Sequence, residues 1–249
     1  MGGALQESAF GKLDATARVS SQKRFVSSVK CSGQNPVSAH GIETEWNMQH
    51  DLLTRLKDET AACHTRLENA LDLMRNDWSR EEYVALLERF FGYVAVWEDA
   101  VGARLPAHLQ EFFDARRKAA LLADDLAVLT GDRHRAAIVP LAKERVTLPA
   151  LDTTARVFGS MYVMEGSTLG GRFIAPHVAG LFGLTHGRGN AYFDGYGPRT
   201  GSMWKAFRET AAATVSAGQY DDAVAAAIET FDGLHAWLAG ERVAQGALA

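Results

Sequence analysis

From Gln49 onward the apolar residues return every three to four positions, and no window long enough for a strand alternates with period two. That pattern restricts the chain to helices packed on helices, an all-α architecture. Leu53, Leu56, Thr60, His64, Leu67 and Leu71 fall within one narrow arc of a long first helix. Ser79, followed three residues later by Glu82, makes a capping box for a second helix, whose apolar stripe is Tyr83, Leu86, Leu87, Phe90, Val94 and Trp97. The same period predicts helices over about 107–129, about 134–144, about 153–181 with Asp152 as N-cap, about 201–216 and about 219–239. Pro106, Gly131, Pro149 and Gly183 punctuate them.

Residues 1–46 have no sustained apolar period; Ser, Gly and Ala predominate, with basic residues scattered singly. They read as a disordered extension ahead of one domain over 47–249. The extension lacks the apolar centre of a secretory signal, and its Arg and Ser faintly resemble an organelle transit peptide. Met48 stands just before the first strong helix, as an internal start would. The 249 residues are 47% hydrophobic and 22% charged, as in ordinary globular proteins. No run reaches the roughly 18 apolar residues of a membrane span, so no integral membrane segment is expected. A net charge of −4 leaves no excess of cations to neutralise phosphates, which argues against a nucleic-acid partner. The two cysteines, Cys31 and Cys63, make neither a disulfide framework nor a zinc spacing, consistent with a reducing cytoplasm.

Eleven glycines fall between 159 and 201. Three of them, in Glu165-Gly166-Ser167-Thr168-Leu169-Gly170-Gly171, interrupt a helical pattern, and each costs about 1 kcal/mol relative to Ala there. A helical glycine lets something approach the backbone. Another helix and a flat ligand are both consistent with that. His64 poses a similar choice, since a histidine on an apolar arc is either a satisfied core residue or a ligand. Lys57 lies two turns earlier on nearly the same face, about 10 Å along the axis. A neutral imidazole and a cation so spaced suit a haem held through its iron and a propionate.

Two segments then resemble the haem oxygenase family. Leu56-Lys57-Asp58-Glu59-Thr60-Ala61-Ala62-Cys63-His64-Thr65-Arg66-Leu67-Glu68 is similar to its first helix, and Met161-Tyr162-Val163-Met164-Glu165-Gly166-Ser167-Thr168-Leu169-Gly170-Gly171 to its kinked distal helix. The segment from Phe193 through Tyr196 to Trp204 and Phe207 resembles the bacterial branch that accompanies bacteriophytochromes, as do Thr230-Phe231 and Trp237-Leu238. The resemblance spans about residues 50–240. It implies a helical bundle with haem b between a proximal helix carrying His64, the iron ligand, and a distal helix whose Gly166 and Gly170 lie over the ring. Lys57 would contact a propionate, and Ser167 would hold water for proton delivery or simply bond back to its own helix. The family's distal tyrosine falls at Met161 and its distal acid at Ser167, so Tyr196, Lys205 and Arg208 become substitutes for anchoring the propionates.

The implied reaction opens the haem ring with dioxygen and external electrons, giving biliverdin, carbon monoxide and ferrous iron. A neutral histidine suits it, because a thiolate would push towards O–O cleavage. No G-x-G-x-x-G unit is present, so the electrons are expected from a separate ferredoxin, flavodoxin or similar reductase. A bacteriophytochrome is the corresponding acceptor of biliverdin. A non-catalytic haem-binding or storage protein on the same scaffold is the alternative, and binding of another small molecule, as in thiamin-degrading relatives of the fold, a weaker third. Arg116-Arg117-Lys118 reads as a solvated basic face or a dock for an acidic electron donor, Asp232-x-x-His235 as an ordinary helix face rather than half of a carboxylate-bridged metal site, whose second pair is missing, and His177 as lying beyond the haem near its helix end rather than approaching the distal side.

Overall fold

The computed structural model describes residues 40–143 and 148–246, with side chains described from 52 to 143 and from 148 to 239. The extension expected over 1–46 lies outside the described residues as far as 39, and every side chain discussed below belongs to the unit Met48–Ala249. Among the described residues there is no strand. The helices are α1 (His40–Leu71), α2 (Arg80–Gly102), α3 (Ala107–Asp114), α4 (Ala119–Thr130), α5 (Thr154–Phe182), a short α6 (Ala191–Asp194), α7 (Thr200–Thr214) and α8 (Tyr220–Gly246).

Local chemistry explains the starts. Ser79 Oγ accepts from the Glu82 N–H at 3.0 Å while the Glu82 carboxylate accepts from the Ser79 N–H at 2.8 Å, and the stripe from Tyr83 to Trp97 is buried. The N-cap of α5 is Thr153 rather than Asp152: its hydroxyl accepts from the Arg156 N–H, and Asp152 instead pairs with the Arg156 guanidinium at 3.4 Å. Gly183, in the left-handed region at φ 63°, ends α5.

Two expected helices are altered by partners far away in sequence. The stretch 107–129 is two helices, broken at 115–118. Glu98 of α2 accepts from the backbone N–H groups of Lys118 and Ala119, capping α4 from outside, and the Arg116 and Lys118 side chains turn into the protein. The stretch 134–144 reduces to a single 3₁₀ turn at Arg135–Ile138. Beyond it the chain crosses α2 at Gly92, where an added Cβ would lie 2.3 Å from the Pro140 carbonyl oxygen, and the Ala142 N–H bonds to the Gly92 carbonyl at 3.0 Å.

Helix α5 is the centre of the bundle, packed on α6, α7 and above all α8. Val157, Phe158 and Met161 have essentially no exposure. At the α5–α8 crossing Gly159 faces the Ala223 carbonyl so closely that a Cβ would come within 1.9 Å of its oxygen. Pro176 removes one i→i−4 hydrogen bond inside an otherwise continuous helix. Among the described residues no helix is long and apolar enough to cross a membrane.

Candidate functional site

Leu52, Leu56 and Thr60 of α1 are buried at four-residue intervals, so the next position on that face is His64. Its side chain is 23% exposed, half-buried between core and surface. Nδ1 lies 3.3 Å from Oε2 of Glu68, one turn on, and the ring stands edge-on to Phe231 of α8 at a centroid distance of 5.9 Å. Arg55 reaches Asp221 at 2.7 Å and Arg66 pairs with Asp232, so partners advance in the same direction on both helices and α1 runs parallel to α8. Lys57, one heptad before His64, is exposed.

On α5, within one arc of Gly166, Tyr162, Leu169 and Gly170 are half-buried and Phe173 is 44% exposed, while Gly159 and Val163 of that arc are buried; Met161, Met164, Thr168 and Ala175 of the other faces are buried, and Ser167 and Arg172 there are exposed. An apolar stripe left open in this way suits a flat apolar ligand. Gly166 itself is buried. Close helix packing, the other reading of the glycine run, explains Gly171: a Cβ there would meet the Phe193 carbonyl oxygen at 1.9 Å. Ser167 donates to the Met164 carbonyl at 2.8 Å, the back-bond within its own helix. Met161 is wholly within the core.

Beside this stripe lies a group of charges that sequence reasoning did not pick out. Glu165 is 3% exposed, and its Oε1 accepts from Lys118 Nζ at 2.9 Å and from the Tyr196 hydroxyl at 2.6 Å. Its Oε2 lies 3.3 Å from Arg116 Nε. Lys118 also donates to the Tyr196 oxygen at 2.9 Å. Burial, and then the charge of Glu165, push the Tyr196 phenol well above its ordinary ionisation range, so it stays neutral. The basic run 116–118, expected as a solvated face, is therefore interior at its first and third positions, because each meets the same buried carboxylate. A lone acid in the apolar run Val163-Met164-Glu165-Gly166 was the available signal, since a buried carboxylate needs a partner.

The remaining candidates are placed as follows. Tyr196 is half-buried and bonded within that group. Lys205, 76% exposed, lies 3.5 Å from Glu209, and Arg208 is exposed on the same helix, α7. His177 Nε2 lies 3.0 Å from the Arg75 carbonyl oxygen, beyond the stripe near the end of α5. Asp232 is occupied by Arg66, and among the described residues no three His, Cys, Asp or Glu side chains cluster as metal ligands. A groove of about 340 Å3 between α2 and α4, lined by Arg80, Glu81, Val84 and Leu129 among others, shares no residue with the site.

The donor set fits haem. One imidazole, braced from its own helix, is the ligand type the porphyrin iron takes, and an exposed lysine one heptad away can meet a propionate.

The sequence model described as heme oxygenase matches residues 50–239. Among solved structures, the heme oxygenase from Leptospira interrogans superposes with a TM-score of 0.60 at 16% identity, covering 76% of this chain and 98% of that one. Heme oxygenase-1 from the cyanobacterium Synechocystis sp. PCC6803, in complex with heme, gives 0.58 at 16% identity, covering 80% and 99%. At that identity the likeness is one of fold. No curated protein sequence matches the chain.

Proposed function

Because the chain belongs to the haem oxygenase family, we propose that it binds haem b as substrate between α1 and α5 and opens the ring with dioxygen and external electrons, releasing biliverdin, carbon monoxide and ferrous iron. The observation that carries this reading is His64, half-buried on α1 with Nδ1 beside Glu68. A proton held on Nδ1 by that carboxylate directs Nε2 to the iron and makes it a better donor. Lys57 meets one propionate at the edge of the ring. The open stripe of α5, from Tyr162 to Phe173, covers the opposite face, and glycine at 166 and 170 leaves the space nearest the iron to small ligands. Ser167, its hydrogen already given to the Met164 carbonyl, can hold water at that face as an acceptor. Haem supplies the oxygen chemistry, and the protein supplies orientation, a proton path and exclusion of other reactions. A ferredoxin, flavodoxin or similar donor supplies the electrons, and a bacteriophytochrome accepts the product.

The test is to add haemin to the purified protein, then a reducing system in air. The Soret band of the complex should give way to biliverdin absorption. A stable Soret complex that persists through reduction in air would overturn the reading in favour of a storage protein.

A further inference from the structure

Phe231 of α8 stands edge-on to the His64 ring, with the centroids 5.9 Å apart and the planes at 87°. Glu68 braces the same ring at Nδ1, but at 3.3 Å and from a side chain 41% exposed. A charge-assisted hydrogen bond at full strength is shorter, about 2.7–2.9 Å, so a carboxylate held this loosely can follow the imidazole as it turns about its Cβ–Cγ bond. Phe231 cannot follow it, being 5% exposed and packed into the core. Of the two neighbours, the aromatic ring is the rigid one.

The residues on either side of Phe231 show why it keeps its place. Thr230, wholly buried, donates to the Ala226 carbonyl at 2.6 Å, and its Oγ1 lies 2.8 Å from Oγ of Ser160 on α5. Ser160 Oγ in turn accepts from the Trp97 indole N–H of α2 at 2.8 Å. Both hydroxyls and the indole N–H are thereby partnered inside the core, where displacing any of them would leave a buried polar group unsatisfied. Asp232 pairs with Arg66, two residues beyond His64 on α1, and Arg55 and Asp221 repeat that pairing at 2.7 Å three turns earlier. Successive residues point about 100° apart around a helix, so Thr230, Phe231 and Asp232 reach α5, the His64 ring and Arg66 in turn.

We propose that Phe231 is a positioning residue that fixes the plane of the His64 imidazole, and with it the direction in which that plane crosses the porphyrin nitrogens when haem is bound. The proposal rests on the haem reading above. Thr230 refers Phe231 to Ser160, six residues before Gly166 on α5, so the imidazole on the α1 side is oriented relative to the helix that covers the other face. An edge-to-face pair of rings favours its own geometry by an amount that makes one plane roughly two- to twelvefold more populated than a rival. An imidazole exchanges π density only perpendicular to its plane, so a fixed plane distributes the unpaired spin of ferric haem unequally over the four pyrroles.

The experiment is proton NMR of the ferric cyanide complex, with the melting temperature of each haem-free variant as a check on folding. The protein is loaded with a haemin that carries methyl groups in place of both vinyls, because its symmetry prevents a second set of signals from rings inserted upside down. The wild type should show one set of widely spread ring-methyl shifts. Phe231→Leu should still form a Soret complex, but the spread should narrow or a second set appear. Phe231→Tyr keeps the ring and should keep the wild-type pattern. Leu238→Ala, at a wholly buried position of the same helix, should lower the melting temperature and leave the pattern unchanged. If Phe231→Leu does not fold, Phe231→Met replaces it with the same expectation, and if Phe231→Tyr does not fold, the contrast with Leu238→Ala decides. A wild-type pattern in Phe231→Leu, or the same change in Phe231→Tyr or Leu238→Ala, overturns the proposal and leaves the haem reading intact. A wild-type chain that forms no Soret complex, or a His64→Ala chain whose Soret band is unchanged, overturns both.

Discussion

Nδ1 of His64 lies 3.3 Å from Oε2 of Glu68, one turn further along α1. The imidazole is thus braced by a carboxylate of its own helix as well as by the Phe231 ring of α8. With a side chain 23% exposed and its ring edge-on to Phe231, His64 is half-buried at the edge of the core, where the proposed haem would reach it.

His64→Ala should leave the helices intact, because alanine is the better helix former and the lost contacts are those of a half-buried ring. Turnover should vanish and the Soret band should shift, with exogenous imidazole restoring the spectrum. Glu68→Gln should lower haemin affinity or turnover by about 10- to 100-fold, as for other partners that orient a metal-bound histidine. Haemin titration with far-UV circular dichroism checks both, and an unchanged spectrum in His64→Ala would remove His64 from the mechanism.

Lys57 is exposed, so the proposed pairing with a propionate would be made near water and be worth roughly 0.2–1 kcal/mol. Lys57→Ala should therefore raise the haemin dissociation constant by only about 1.4- to fivefold. Freed at one edge, the ring should also turn in its plane, changing the ratio of biliverdin isomers. If neither quantity moves, the propionates are held elsewhere, and exposed Lys205 and Arg208 of α7 are next to be replaced.

What the sequence could disclose follows the range of the interactions. Helix α2 is legible because its cap, period and stop lie within one segment, and His64 because it shares an arc with Leu56 and Thr60. The break at 115–118 is not legible. It is imposed by Glu98 and Glu165, carboxylates on helices distant in the chain, which draw in two backbone N–H groups and two cations that local propensity would leave in a continuous helix. Tyr196 is intermediate: its segment marks it as important, but its partner Glu165 emerges only when α5 and the turn before α7 meet.

Glu98 offers a test of that break through pH. Burial pushes its carboxyl above the ordinary 4.5, while the N–H bonds from Lys118 and Ala119 pull it down less strongly. A carboxyl raised on folding stabilises the protein below its unfolded pKa, and that contribution is lost as pH rises through the folded value. Glu98→Gln keeps an acceptor oxygen for both N–H groups and cannot ionise. Its melting temperature should gain on the wild type as pH rises from about 4.5 towards neutrality. A difference that is flat, or that falls with pH, would mean that the buried carboxylate is not the group responsible.

The adjacent glycines 170 and 171 separate packing from chemistry. At 171 an added methyl would lie 1.9 Å from the Phe193 carbonyl oxygen, backbone that α6 and the Asp125 carboxylate hold in place through the Ala191 and Tyr192 N–H groups. Gly171→Ala should therefore destabilise the fold by at least the roughly 1–3 kcal/mol typical of overpacking, lowering the melting temperature of the haem-free chain. Gly170 is half-buried on the open stripe, with an ordinary helical φ. There alanine should be neutral or stabilise the helix by up to about 1 kcal/mol. If the stripe covers haem, the same methyl enters the space of the small ligand, so haemin binding through His64 should persist while ring opening slows. A Gly170→Ala chain that melts higher, binds haemin and still makes biliverdin at the wild-type rate would detach α5 from the reaction while leaving His64 on α1 in place.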